Sequence, residues 1–196
     1  MSVPGEARPR ARVAEARRNR QRLIEVATDL FAAGEGPVPL EAIARGAGVG
    51  IGTLYRHFPT RETLVEAVYT DQFERMRARA EELLAEHAPA SALRLWTRSF
   101  LEWAATKHGM ADTLRALLSS GRVGHGEMRG HLVAVLALFL EAGAAAGDLR
   151  ADVDAADVAA TLAGVLVVAG APAERDQARR MLDLVLDGLR TVGGAP

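Results

Sequence analysis

The side chains best suited to binding chemistry in this 196-residue chain lie in one short stretch, residues 50–57, which reads GIGTLYRH. Tyr55, Arg56 and His57 carry hydrogen-bond donors, and side chains of these types contact phosphates and base edges. Thr53 adds a hydroxyl and a methyl group, which can meet a phosphate, a base edge or the methyl of thymine. The stretch therefore indicates a nucleic-acid contact, although an ordinary exposed aromatic surface would have the same composition.

Two apolar residues four positions apart decide which of these side chains face solvent. Leu54 and Phe58 fall on one face of a helix and point into a small core, so Tyr55 and His57 face outward. Gly50 stands where serine or threonine usually caps a helix, and it leaves the first amides of that helix free for a phosphate.

The elements that must position this stretch are short helices around a glycine turn. Residues 40–45 predict one short helix, residues 46–49 a turn that contains Gly48, and residues 51–58 a second helix that Pro59 ends. Two short helices at a steep angle around such a turn form a helix-turn-helix. In that motif the second helix enters the major groove of DNA, so we predict a DNA-binding head.

Longer helices flank the motif. Apolar residues at helical spacing predict a helix over residues 13–33, and Thr60 caps another over residues 61–85. Arg61, in the first turn of that helix, is placed to clamp a phosphate, and Arg45 is a weaker candidate for the same contact. The DNA-contacting residues that we predict are Gly50, Ile51, Gly52, Thr53, Tyr55, Arg56, His57, Arg61 and Arg45.

The charge distribution sets a basic end against an acidic remainder. Residues 1–22 hold seven arginines and two glutamates, whereas the whole chain has a net charge of −1. This end suits a nucleic-acid contact, and the alternative is a solubilising tail. The absence of cysteine excludes disulfides and thiolate metal sites. With no apolar signal segment and no run long enough to span a bilayer, we expect a cytoplasmic protein without a membrane segment.

The second half of the chain predicts further helices with bulky apolar faces. An apolar pocket with few polar groups is the usual form of a small-molecule site, so we expect a small apolar ligand of unknown identity. The alternative is that these side chains are simply core. The candidate pocket residues are Phe73, Trp96, Thr97, Phe100, Trp103, His108, Met110, Leu114, Leu117, His125, Met128 and Leu132.

The last two helices carry apolar stripes wider than one protomer is expected to cover. Their bundle-like spacing predicts a four-helix interface with a second copy of the chain, and a core within one protomer is the alternative. The predicted interface residues are Val158, Leu162, Val165, Leu166, Met181, Leu182, Val185, Leu186 and Leu189.

Enzyme motifs are missing from the sequence. His125, Glu127 and His131 lie close together, but their spacing does not match a helical metal site. The sequence has no Gly-rich phosphate loop, nucleophile elbow or paired-acid motif. We therefore expect no catalytic residues, no metal and no cofactor.

Residues 49–64, VGIGTLYRHFPTRETL, closely resemble the TetR family of transcriptional regulators, whose pattern here is V-S-x-G-T-L-Y-x-x-F-x-S/T-K/R-E-x-L. The resemblance covers about residues 17–69. It implies a homodimer on a palindromic operator, with repression relieved by a small ligand. It also implies that the family's DNA-contacting positions are occupied here by Gly52, Thr53, Tyr55, His57 and Arg61.

Two positions depart from the family pattern. Gly50 replaces the usual serine, and Pro39 replaces the usual threonine that caps the preceding helix. The lost hydroxyls are expected to remove one or two phosphate contacts, which gives the arginine-rich end a larger part in binding.

Together these patterns predict an all-α protein of about nine helices. We expect a disordered basic arm (1–12), a helix-turn-helix domain (13–60) and a helical ligand-binding and dimerisation domain (61–196). The expected function is a ligand-relieved repressor that binds double-stranded operator DNA. The alternatives are an activator with the same head, or a helical module that uses the head to bind another protein.

Overall fold

Two seven-residue helices carry most of the candidate contacts, and longer helices account for most of the other described residues. The computed structural model describes residues 7–33, 38–106, 113, 125–168 and 175–191. Within these residues the regular structure is helical apart from one isolated bridge, which confirms the predicted all-α class. The helices are α1 (Ala7–Ala33), α2 (Leu40–Gly46), α3 (Ile51–His57), α4 (Arg61–Glu86), α5 (Pro89–Thr106), α6 (His125–Ala146), α7 (Ala155–Val168) and α8 (Arg175–Gly188).

The chain divides into two units. Unit 1 comprises residues 1–71 and 105–120, and unit 2 comprises residues 72–104 and 121–196. Helix α4 is uninterrupted and contributes its first part to unit 1 and its remainder to unit 2. Helix α4 therefore contributes residues to both units.

Helix α1 begins at Ala7, six residues before the predicted start. The predicted disordered arm is therefore corrected for residues 7–12, which are helical, while residues 1–6 lie outside the described residues. Pro9 is compatible with this start because it falls in the first turn, where its missing N–H has no helical partner to lose. The alanines and arginines around it favour helix.

The core of unit 1 forms where α1, α2 and α3 cross. Ala44 is 2% exposed, as expected for a small side chain at a close crossing. Gly46 permits an even closer approach, because a Cβ atom there would lie 2.7 Å from Val26 Cγ1. The apolar side chains buried in this core are Leu23, Ile24, Ala27, Phe31, Ile43, Ala44, Ala47, Leu54 and Phe58.

The turn between α2 and α3 depends on one glycine. Gly48 has φ of 68°, a left-handed conformation that side chains with a Cβ rarely adopt. The amide of Val49 donates to Ala44 O at 3.0 Å and the amide of Gly48 donates to Arg45 O at 3.1 Å, which closes the end of α2. This geometry fixes the direction in which the chain enters α3.

Helix α4 starts at a reciprocal cap. The amide of Thr63 donates to Thr60 Oγ1 at 3.3 Å, and the amide of Thr60 donates to Thr63 Oγ1 at 3.2 Å. Each hydroxyl thus satisfies an amide that would otherwise have no helical partner, as in a capping box. The predicted role of Thr60 as the cap is confirmed.

In unit 2 an indole ring organises the packing of the long helices. Trp96 is 1% exposed, and its Nε1–H donates to Met76 O at 2.9 Å. Its ring stacks on Phe100 with centroids 5.4 Å apart and meets Phe139 at 5.7 Å. Trp96 therefore joins α4, α5 and α6.

Helix α6 is apolar over most of its length. An 18-residue window, Arg129–Ala146, is long and apolar enough to cross a membrane. The same composition is typical of a helix in a protein core, and one stripe of α6 is buried in unit 2. The buried residues of this stripe are Leu132, Val135, Leu136, Phe139 and Leu140.

The turn after α6 is pinned to the end of α8. Leu149 and Arg190 form an isolated antiparallel bridge, and Thr191 Oγ1 donates to Gly147 O at 2.7 Å. Leu149 is 2% exposed and lies against Gly143, where a Cβ would come within 2.5 Å of the leucine side chain. Close packing at this corner therefore requires glycine at position 143.

We predict that Gly143→Ala lowers the free energy of unfolding by about 1–3 kcal/mol, because the new methyl group overpacks the contact with Leu149. Urea unfolding of the full chain measures the change. Gly130→Ala is the matched control in the same helix, since among the described residues nothing beyond its chain neighbours and the adjacent helix backbone lies within 4 Å of its Cβ position. It should leave stability unchanged or raise it by up to about 1 kcal/mol. Equal effects at both positions would contradict the packing argument.

Candidate nucleic-acid interface

The outward face of α3 is set by two buried anchors. Leu54 is fully buried and Phe58 is 1% exposed. At about 100° per residue, Gly52 and Arg56 lie on the side of the helix opposite Leu54. Thr53 and Tyr55 fall on either side of that line. The structure thus gives α3 an outward surface centred on Gly52 and Arg56, which we call the α3 face together with Thr53 and Tyr55.

Exposure of the side chains agrees with this geometry. Tyr55 is 46% exposed and Ile51 is 37% exposed, which are high values for large apolar or aromatic residues. Gly50 is exposed as well. His57, by contrast, is half-buried, and its ring centroid lies 6.4 Å from that of Phe58. His57 therefore lies at the margin of the α3 face and nearer the core than the sequence predicted.

Arg56 lies along its own helix. Its Nε donates to Gly52 O at 3.1 Å, and its Nη2 donates to Thr53 Oγ1 at 3.2 Å. The guanidinium is exposed to solvent and held toward the N-terminal end of α3. The α3 face thus presents a cation that is hydrogen-bonded to its own helix, together with the exposed side chain of Tyr55.

The start of α3 has no side-chain cap. Gly50 has φ of −70° and ψ of 149°, and its carbonyl accepts the amide of Thr53 at 2.8 Å. Pro39 likewise precedes α2 without a side-chain cap. Both positions therefore lack the hydroxyl that the family pattern carries, as the sequence indicated.

Arg61 lies in the first turn of α4, as predicted, and makes contacts that the sequence did not predict. It is half-buried, and its guanidinium lies over the Phe31 ring at 5.7 Å from the centroid. Its Nη1 donates to Val38 O at 2.5 Å, and its Nε donates to Thr113 Oγ1 at 3.2 Å. All three interactions lie within unit 1. They join the start of α4 to three places: the end of α1, the segment before α2, and Thr113.

Sequence reasoning missed this arrangement because Thr113 lies 52 positions from Arg61 and no local pattern connects them. It also missed a role for Arg20, counted only as part of the basic end. The guanidinium of Arg20 lies over the Phe58 ring at 5.2 Å from the centroid, and thus covers the anchor of α3. Arg45, by contrast, is exposed in the last turn of α2, as predicted.

The candidate pocket residues that the structure describes are buried in unit 2. Thr97 is 2% exposed, and its hydroxyl donates to Arg94 O at 2.9 Å within the same helix. Gln72 is a second buried polar residue, which the prediction did not include. The other described candidates are Phe73, Trp96, Phe100 and Leu132. The side chains of Trp103, His108, Met110, Leu114, Leu117, His125 and Met128 lie outside the described residues.

The predicted dimer stripe lies largely inside one protomer. Six of its residues are at most 6% exposed in the single chain, which leaves them little surface for a partner: Val158, Leu162, Val165, Leu182, Leu186 and Leu189. This corrects the prediction in favour of the intramonomer alternative for those six residues. Met181 and Val185 are half-buried, and the side chain of Leu166 lies outside the described residues.

A different side of the same two helices is left uncovered. Leu184 is 75% exposed, the highest value among the exposed large apolar residues of the described chain. On α7 the exposed residues include Ala160, Ala163 and Gly164, which are small. We call Leu184 with these three residues the α7–α8 face.

Family models match two parts of the chain. The model for bacterial regulatory proteins of the tetR family matches residues 23–68. The model for the C-terminal domain of SbtR-like transcriptional regulators matches residues 88–191. The first match contains α2, α3 and the α3 face, and the second contains the α7–α8 face.

Solved structures resemble most of the chain. The TetR transcriptional regulator SCO0520 from Streptomyces coelicolor is 47% identical, with 89% of this chain and 99% of that chain covered and a TM-score of 0.78. A TetR transcription regulatory protein from Mycobacterium vanbaalenii is 38% identical, with coverage of 91% and 98% and a TM-score of 0.68.

A curated relative matches over a shorter length. The HTH-type transcriptional regulator SAR0097 from Staphylococcus aureus (strain MRSA252) is 33% identical over 84 residues. The match covers 42% of this chain and 44% of that relative, so the chain spans less than half of its length.

We predict that Arg61→Ala lowers the free energy of unfolding by about 1–3 kcal/mol, because it removes charge-assisted hydrogen bonds to Val38 O and Thr113 Oγ1 in a half-buried position. Thermal and urea unfolding of the full chain measure the effect. Arg45→Ala is the matched control at an exposed arginine, with an expected change within about 0.5 kcal/mol. Equal stability of the two variants would show that the interactions of Arg61 do not hold unit 1 together.

Proposed function

This chain belongs to the TetR family of transcriptional regulators, and we propose that it binds a palindromic operator as a homodimer and represses transcription until a small ligand releases it. The observation that carries the proposal is the α3 face, where Tyr55 and Arg56 are exposed on the second helix of a helix-turn-helix. In this motif that helix lies in the major groove.

The proposed contacts to DNA are of two kinds, contacts in the groove and contacts to phosphates. On the α3 face, Arg56, Thr53 and Tyr55 face the groove, while the exposed Arg45 at the end of α2 can reach a phosphate. The exposed arginines of α1 add positive charge near the motif, which strengthens binding to DNA of any sequence and makes it sensitive to salt. These α1 residues are Arg12, Arg17, Arg18, Arg20 and Arg22.

We propose that two copies pair through the α7–α8 face. Leu184 and half-buried Met181 lie three positions apart on α8, so they are neighbours on one side of the helix and leave apolar surface that a partner can cover. Small residues on α7 allow close helix approach, and half-buried Met181 and Val185 can complete the contact. A two-fold axis through this face would make the interface self-complementary, as in most homodimers.

Dimerisation and ligand binding would both act on the spacing of the recognition helices. Two α3 helices must reach half-sites about 34–36 Å apart or somewhat more. We propose that a small apolar ligand binds among the helices of the C-terminal half and acts through α4, the helix common to both units. Such a ligand shifts the population only by binding one state more tightly than the other. No cofactor is required, and the protein would act in the cytoplasm.

An activator with the same head, and a helical module that binds another protein through it, are the alternatives. A mobility-shift assay on the DNA flanking its own gene separates DNA binding from the protein-binding alternative. Reporter expression in a deletion strain then separates repressor from activator, because loss of a repressor raises expression.

We predict that the double variant Tyr55→Ala/His57→Ala binds the flanking DNA at least roughly 10-fold more weakly than the wild type, because it removes the contact of Tyr55 on the α3 face and that of His57 at its margin. Mobility shift and fluorescence anisotropy measure the affinity. His87→Ala, at an exposed histidine in unit 2, is the control and should bind as the wild type does. If the double variant is folded by circular dichroism and still binds DNA as tightly as the wild type, the proposal that α3 contacts DNA through these residues is wrong.

We predict that Leu184→Glu converts the dimer to a monomer, since the variant buries a charge in each copy of the interface. Light scattering coupled to size exclusion measures the mass. Val13→Glu is the matched control at another exposed apolar residue, and its mass should remain that of the wild type. A Leu184→Glu protein that stays dimeric would place the interface elsewhere.

A further inference from the structure

The hydrogen bonds of Arg56 divide its guanidinium into two edges. A guanidinium has one donor on Nε and two on each Nη. Here Nε donates to Gly52 O and Nη2 donates to Thr53 Oγ1, so the side edge of the fork is bound to α3 itself. Within the described part of the chain, these are the hydrogen bonds of the Arg56 side chain. The end edge, formed by Nη1 and the second donor of Nη2, therefore faces solvent.

This end edge has the geometry of a base reader. Two parallel N–H donors match the O6 and N7 acceptors that guanine presents in the major groove, and no other base offers that pair. Arg56 also lies opposite the buried anchor Leu54, which places it at the centre of the α3 face. When α3 lies in the groove, the centre of its outward surface meets base edges, while the flanks meet the backbone walls.

We infer that Arg56 is the specificity-determining residue of this protein, reading one guanine in each half-site with its end edge, while Thr53 is a positioning residue that holds its side edge. The inference rests on the proposed function, because it names the base that the same α3 face would recognise. Holding the side chain before DNA arrives reduces the entropy that binding must remove. Thr53 therefore affects which base is preferred by holding Arg56, in addition to any contact that it makes with DNA itself.

Arg56 reading guanine and Arg56 contacting a phosphate have different signatures. A phosphate contact would strengthen binding to every sequence and contribute about one unit to the salt slope of binding. A guanine contact would instead confine its effect to one base pair of each half-site. The two roles can therefore be separated by measuring sequence preference and salt dependence on the same variants.

The experiment selects binding sites from a random double-stranded DNA library with the purified full-length protein. The wild type should prefer guanine at one position of each half-site by roughly 10- to 100-fold over other bases. Arg56→Ala should lose the preference at that position only. Replacing that guanine by 7-deazaguanine removes the N7 acceptor and should weaken wild-type binding by about 10-fold while leaving Arg56→Ala binding unchanged.

Variants at position 53 test the positioning role. Thr53→Val removes the hydroxyl at nearly constant volume and should reduce the guanine preference by roughly 3- to 10-fold, whereas Thr53→Ser should retain it. In the Arg56→Ala background, Thr53→Val should have no further effect on that preference, because the two residues act as one unit. Arg98→Ala, at an exposed arginine of unit 2, is the control with wild-type site selection.

The outcomes separate this inference from the proposed function. Selection of a defined site by the wild type, followed by uniform weakening in Arg56→Ala with every base preference intact, would overturn the guanine assignment and leave the DNA-binding function standing. A Thr53→Val effect that persists without Arg56 would overturn the positioning role. No sequence selection by the wild type would overturn the proposed function itself. Thermal unfolding of each variant confirms that the compared proteins are folded.

Discussion

The burial of Leu54 and Phe58 is the constraint on which the rest of the DNA-binding unit depends. Helix α3 has seven residues, too few to be stable in water without tertiary packing. Its two anchors are almost completely buried, and Arg20 covers the ring of Phe58 from α1. Because these contacts fix the rotation of α3 about its axis, they also decide that Arg56 points outward and that His57 lies at the margin. The chemistry of the surface follows from the packing beneath it.

Arg61 extends the same constraint to the start of α4. Two of its partners, Phe31 and the carbonyl of Val38, belong to the helix-turn-helix region, and the third is Thr113. Residue 113 falls in the part of the sequence that matches the C-terminal domain model. A side chain that joins residues from both matched regions holds α4 in register with α1 and α2. Arg61, which the sequence predicted as a phosphate contact, thus also holds these parts of unit 1 together.

The sequence predicted what local patterns determine and missed what distant contacts determine. Helical periodicity, the glycine at position 48 and the cap at Thr60 are local, so the helix-turn-helix and the start of α4 could be placed within a few residues. Thr113 could not be paired with Arg61, because a contact across 52 positions leaves no periodic signal. For α7 and α8, periodicity identified the apolar stripe of Leu162 and Leu186 but not what covers it. The protomer buries that stripe itself, and exposed Leu184 lies outside it.

The missing caps at Gly50 and Pro39 bear on how the α3 face can bind DNA with specificity. Hydroxyls at these positions would contact phosphates and help to fix the orientation of the motif on the duplex. Without them, orientation depends more on the buried anchors and on the charge of α1, neither of which distinguishes one sequence from another. Sequence discrimination must then come from the few side chains of the α3 face that reach the bases. Among them Arg56 is held by two hydrogen bonds to α3 before DNA binds, so the side chain that we infer to read a base is also one that its own helix positions.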